Sequence, residues 1–145
     1  MIRVIIRSIQ LLIALLGEPI MNRILIVDDH AEIRRLIRMT LVCAGYHTEV
    51  IEAANADTAL ALTLALRPDV IVTDVIMPGV LDGVELCRIL KADPETAGIT
   101  VVIISGKCEA EYRRAGLAAG AGAYLVKPFL PMELIHALED VGVVA

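Results

Sequence analysis

Ile24-Leu25-Ile26-Val27-Asp28-Asp29-His30 is the stretch whose reading decides the fold. Four branched or bulky apolar residues follow one another without a polar interruption. Two carboxylates then close the run. A run this short and this apolar reads as a strand buried on both faces, taken from Arg23 to Val27. The same grammar recurs downstream. Val70 to Thr73 is followed by Asp74, Ile99 to Ile104 by Ser105, and Tyr124 to Val126 by Lys127. A more polar strand is expected at Thr48 to Ile51.

Helical spacing fills the gaps. Ile33, Leu36, Ile37, Thr40 and Ala44 recur on one face, with Gly45 as a stop. Further helices are expected over Asn55–Leu66, with Asn55 as N-cap, and over Gly83–Lys91, Glu109–Ala119 and Pro131–Val141. Strands and helices alternate as five β-α units. Alternation with right-handed crossovers predicts an α/β fold, a doubly wound five-stranded parallel sheet. In such sheets ligands bind outside the carboxyl ends of the strands.

The chain has 145 residues, 13 of them Lys or Arg and 18 Asp or Glu, for a net charge of −5. That length holds one domain of ordinary size. The acidic balance disfavours nucleic acid and anionic lipid as broad partners, since both need a basic face. Hydrophobic residues make up 57% of the chain, which excludes disorder. Cys43, Cys87 and Cys108 form no CxxC pair. They are expected to be buried or half-buried thiols of a reducing, cytoplasmic protein.

Residues 1–20 stand apart from residues 21–145. Ile2, Ile5, Ile6, Ile9, Leu12, Ile13 and Leu16 recur at helical spacing, with Arg3, Arg7 and Gln10 on the other side. This is an amphipathic helical extension, broken by Gly17, Glu18 and Pro19. It is too short and too charged to span a bilayer, and no small-residue cleavage site marks it as a signal peptide. A surface or partner helix fits its period. Met21 offers an alternative start, so membrane contact is expected only if residues 1–20 belong to the native chain.

Asp28, Asp29, Asp74, Ser105 and Lys127 all fall at one edge of the predicted sheet. Singly each has an ordinary explanation: a helix cap, a turn residue, a helix entry or a solvated charge. Together they form a site. Three converging carboxylates repel and raise one another's pKa. A divalent cation relieves that, and hard carboxylate oxygens suit Mg²⁺. Lys127 and Ser105 can serve the oxygens of a phosphoryl group, and a carboxylate can accept phosphorus as an acyl phosphate.

The stretches Ile24–His30, Val72-Thr73-Asp74-Val75-Ile76-Met77-Pro78 with Asp82-Gly83, Ile103-Ile104-Ser105-Gly106 and Ala123-Tyr124-Leu125-Val126-Lys127-Pro128-Phe129 together resemble a response-regulator receiver domain of the single-domain chemotaxis type. The resemblance implies a flavodoxin-like fold. It also implies Asp74 as phospho-acceptor, and Asp28, Asp29, Asp74 and the backbone carbonyl of Ile76 as Mg²⁺ ligands. Lys127 is then the phosphoryl contact, Ser105 the switch hydroxyl and Tyr124 the aromatic switch. Lys127-Pro128 matches a bond that is often cis in that family.

Three departures mark this chain. The loop Met77–Gly83 is one residue longer than is common there. Gly122 and Ala123 stand where acidic residues often precede the tyrosine. Ile76 has no side-chain group to orient an attacking water, which implies slow loss of the phosphoryl group.

The implied function is a switch phosphorylated by a histidine kinase or phosphotransfer protein and read by a downstream effector protein. It acts as a monomer or weak homodimer, with no nucleic acid, and is not a turnover enzyme. A receiver module of a hybrid kinase, or a receiver acting without phosphorylation, would carry the same residues. A metabolite phosphatase would need an acid two residues after Asp74, where Ile76 stands. A flavodoxin-type cofactor binder would need a phosphate loop where Asp28-Asp29-His30 stands.

Arg34, Arg35 and Arg38 read as a solvated stripe or, alternatively, as a kinase-docking face. His30 reads as an incidental surface residue. Helix 55–66 is apolar nearly all round, so the N-terminal helix or a second subunit is expected to cover it.

Overall fold

The computed structural model describes residues 1–15, 22–106 and 110–143. The elements run α1 (Ile2–Leu15), β1 (Asn22–Val27), α2 (Ala31–Cys43), β2 (Thr48–Ala53), α3 (Ala56–Leu66), β3 (Val70–Thr73), α4 (Gly83–Ala92), β4 (Thr100–Ser105), α5 (Ala110–Ala118), β5 (Ala123–Val126) and α6 (Pro131–Asp140). The five strands form one sheet in the order β2-β1-β3-β4-β5, and every pairing is parallel. This is the doubly wound sheet expected from the sequence.

Alternation along each strand explains the two cores. Leu25, Val27, Ile71, Val101, Ile103 and Tyr124 face α3, α4 and α5. Ile24, Ile26, Val70, Val72, Val102 and Ile104 face Ile37 and Leu41 of α2 and Leu134, Ile135 and Leu138 of α6. Ile24, Leu25, Ile26, Val27, Ile71 and Ile103 are fully buried. Each such side chain contributes about 1.5–3 kcal/mol. A sheet lined this way on both faces leaves its strand ends as the open surface.

Local signals set the helix ends. The Asn55 side chain accepts from the Thr58 N–H at 2.7 Å and the Asp82 side chain from the Glu85 N–H at 2.8 Å. Pro131 occupies the first turn of α6, where its missing N–H costs nothing. Strand β2 runs two residues beyond the expected Ile51, because its pairing with β1 continues to Ala53. Glu109, the expected start of α5, lies outside the described residues, as do Leu16 to Pro19, Met21 and Cys108.

Three expectations need correction. Cys43 is exposed, because it lies two residues past Leu41 and so points away from the core stripe of α2. Cys87 is buried, and burial pushes its thiol pKa up. Alkylation with peptide mapping is therefore expected to modify Cys43 in the native protein and Cys87 only after denaturant. Labelling of native Cys87 at the rate of Cys43 would contradict the packing of α4.

Arg34 is not solvated either. It donates to Glu52 at 3.0 Å and to the Asp28 carbonyl at 2.7 Å, while Arg38 pairs with the same Glu52 at 2.6 Å.

The third correction concerns only α1 as a cover for α3, since a second subunit was the other expected cover. Leu64 and Leu66 of α3 stay exposed, as do Ile2, Ile5, Ile6, Ile9 and Leu12 of α1. Among the described residues, α1 does not shield that face. No helix among them is long and apolar enough to cross a membrane.

Candidate phosphoryl and metal site

The chain order reverses between β1 and β3, since β1 lies between β2 and β3. That switch point opens a crevice at the carboxyl edge of the sheet. The backbone ladder carries on past the strands and fixes the residues there. The Asp28 N–H donates to the Ala53 carbonyl at 3.1 Å, the Asp74 N–H to Val27 at 2.9 Å, and the Lys127 N–H to Ser105 at 2.7 Å. Asp28, Asp74 and Lys127 are thus held in register by main-chain bonds before any side-chain contact forms.

Lys127 joins the carboxylates. Its Nζ lies 2.6 Å from Asp28 Oδ2 and 3.2 Å from Asp74 Oδ2. The other Asp74 oxygen, Oδ1, accepts from the Val75 N–H at 2.7 Å. Asp28 Oδ1 accepts from the His30 N–H at 2.8 Å. Asp28 and Asp74 are buried, and Asp29 sits at the rim.

Burial pushes the Asp74 carboxyl above its usual range; Lys127 pulls the other way and Asp28 adds to the rise. For Lys127, burial pulls downward but is outweighed by the hydrogen bond to Asp28 and the charge of Asp74, so its ammonium is held above the ordinary lysine value. Two buried carboxylates against one ammonium, with Asp29 at the rim, leave an excess of negative charge, which is the electrostatic condition for cation binding.

Donor atoms of Asp28, Asp29, His30 and Asp74 all lie within 4.8 Å of one another. Ligands about 2.1 Å from an octahedral ion are separated by about 3 Å across an edge and about 4.2 Å across the centre. The donor set therefore fits a divalent ion after a slight contraction.

Ser105 is the last residue of β4, opposite Val126, and is buried beside the site. Tyr124 pairs with Ile103 and is buried against α5. Its ring fits because position 116 is glycine: a Cβ there would stand 3.3 Å from Tyr124 Cδ2 and 2.9 Å from Ile103 Cδ1. The Lys127-Pro128 bond is cis, as expected. The Ile76 side chain is exposed and offers no polar group.

The structure adds three residues that the strand-end reading did not pick out. His30 turns its Nδ1 to within 3.0 Å of Asp28 Oδ1 and 3.2 Å of Asp29 Oδ1. The hydrogen bond to Asp28, with the charge of Asp29, holds its imidazole pKa above the usual value. Arg34 grips the Asp28 carbonyl. Gly83 lets the start of α4 press against the Asp74 backbone, with its N–H donating to Val75 at 2.8 Å. The motif Asp82-Gly83 was the only signal in the sequence for the last.

Comparison with known proteins agrees with this geometry. The family described as the response regulator receiver domain matches residues 24–139. The chain is 42% identical over 118 residues to the phosphate regulon transcriptional regulatory protein PhoB of Pseudomonas aeruginosa, covering 81% of this chain and 50% of PhoB. It is 41% identical over 114 residues to the transcriptional regulatory protein ResD of Bacillus subtilis, covering 79% of this chain and 45% of ResD. It thus spans about half the length of these relatives. The solved chemotaxis response regulator CheY4 of Vibrio cholerae superposes with a TM-score of 0.74 at 35% identity, covering 84% of this chain and 99% of CheY4. With the strand-end carboxylates, the bridging lysine and the parallel five-stranded sheet all in place, the chain belongs to the response regulator receiver domain family.

Proposed function

We propose that this chain is a phospho-accepting switch, with Asp74 receiving a phosphoryl group from a histidine kinase or phosphotransfer protein. The observation that carries the reading is Lys127 Nζ standing between Asp28 and Asp74 at the switch point. An ammonium there neutralises an incoming phosphoryl oxygen where charge accumulates. One Asp74 oxygen attacks phosphorus. The P–N bond to the donor imidazole breaks, and its electron pair returns to that ring. Asp28, Asp29, Asp74 and the Ile76 carbonyl would hold Mg²⁺, which supplies charge neutralisation when bound.

The acyl phosphate then recruits the Ser105 hydroxyl. Buried Tyr124, on the neighbouring strand and against Gly116 of α5, carries that movement to the face built from α5, β5 and α6. A downstream effector protein reads this face. The chain is thus a phosphoryl carrier of the cytoplasm rather than a turnover enzyme, with 21–145 as its receiver unit.

Amide NMR with and without Mg²⁺ and a small acyl phosphate tests the switch. The expected result is shifts at residues 105–106, 110–118 and 123–126 that are missing in Asp74→Asn. Shifts confined to the neighbours of Asp74 would contradict it.

A further inference from the structure

His30 stands at the site but takes no part in the phosphoryl mechanism. It follows Asp29, precedes the first turn of α2 and makes no side-chain cap. Its ring is mostly exposed, yet Nδ1 faces two carboxylate oxygens, at 3.0 Å and 3.2 Å. Those two distances match an octahedral edge of about 3 Å around a divalent ion.

We propose that His30 is a nitrogen ligand of the carboxylate site, and that the site therefore takes nitrogen-preferring divalent transition ions such as Ni²⁺, Co²⁺ or Zn²⁺ more tightly than an all-oxygen site would. The proposal rests on the reading of Asp28, Asp29 and Asp74 as metal-holding residues.

Ligand chemistry sets the expected selectivity. Mg²⁺ is hard, prefers oxygen and gains little from an imidazole. Borderline ions gain strongly, in the order that rises from manganese to copper. Removing the nitrogen should weaken only the second class.

Calorimetric titration of the full chain with MgCl₂ and, separately, NiCl₂ makes the comparison, using wild type and His30→Ala. The His30 side chain is mostly exposed, so the variant loses no core packing. The expected result is a loss in Ni²⁺ affinity of about tenfold or more, with Mg²⁺ affinity held within about twofold. Unchanged Ni²⁺ affinity in His30→Ala would overturn the proposal while leaving the carboxylate site intact. An equal loss for both ions would also overturn it, since His30 would then only orient Asp28. Asp29→Asn is the control on the site itself. If it costs neither ion any affinity, the carboxylate reading falls, and this proposal with it.

Discussion

Gly83→Ala is expected to lose about 3 kcal/mol of stability and to cut phosphoryl uptake at Asp74 at least tenfold. A Cβ at this position would stand 1.9 Å from the Asp74 carbonyl oxygen, 2.8 Å from its carbon and 3.1 Å from the Val75 Cα. All three are main-chain atoms of the segment that leaves β3, so no rotamer change relieves the overlap. The start of α4 must lift, and the Gly83–Val75 hydrogen bond and the aim of Asp74 go with it. Gly98→Ala serves as the control, because nothing lies within 4 Å of a Cβ there. Urea unfolding and the initial rate of acyl-phosphate labelling give the two readouts. Equal stability for the two variants would contradict the close approach of α4 to Asp74.

Lys127→Met should act through charge with nearly the same volume. The wild-type ammonium is mostly buried and opposes two buried carboxylates. Removing one member of a buried ion group costs about 3–5 kcal/mol because the opposite charges are left unopposed. Without divalent cation the variant is expected near the lower end of that range, since part of the site is wetted. Millimolar Mg²⁺ should restore part of the loss.

The pH dependence has a definite sign. Burial already raises the folded-state pKa of Asp74, and loss of Lys127 raises it further. A raised folded pKa means that the folded protein holds this proton more tightly than the unfolded chain. Stability therefore rises as pH falls through the window between the ordinary carboxyl pKa and the raised one, and falls as pH rises through it. The variant should regain more stability than wild type between neutral and mildly acidic pH in chelator. Labelling at Asp74 is expected to slow about 100-fold, the scale of a lost charge-stabilising donor. A variant with wild-type stability, pH response and labelling rate would contradict the bridging role of Lys127.

The strands and the site core were legible in sequence for one physical reason. A strand buried on both faces is a continuous apolar run, so the first polar residue after it marks the carboxyl edge of the sheet. Asp28, Asp74 and Lys127 announce themselves that way, and Ser105 closes its strand. The helix starts at Asn55 and Pro131 were legible because caps and first-turn prolines are local chemistry.

Contacts across the fold were not. Arg34 looked like a solvated charge because nothing local shows that Glu52, on β2, arrives beside it, or that the Asp28 carbonyl lies within its reach. Gly83 reads in sequence only as the first residue of a helix, and the approach of α4 to Asp74 shows why a side chain is excluded. Cys43 was misjudged because a thiol near the end of an amphipathic helix changes face within two residues. His30 looked incidental, since ring direction at a helix start depends on where the two neighbouring carboxylates settle.

Asp74 is the group proposed to take the phosphoryl. Intact mass after incubation with Mg²⁺ and a small acyl phosphate tests it most directly, with Asp74→Asn measured beside the wild type. A gain of one phosphoryl group is expected in the wild type and none in the variant. The same gain in Asp74→Asn, or no gain in the wild type, would contradict it.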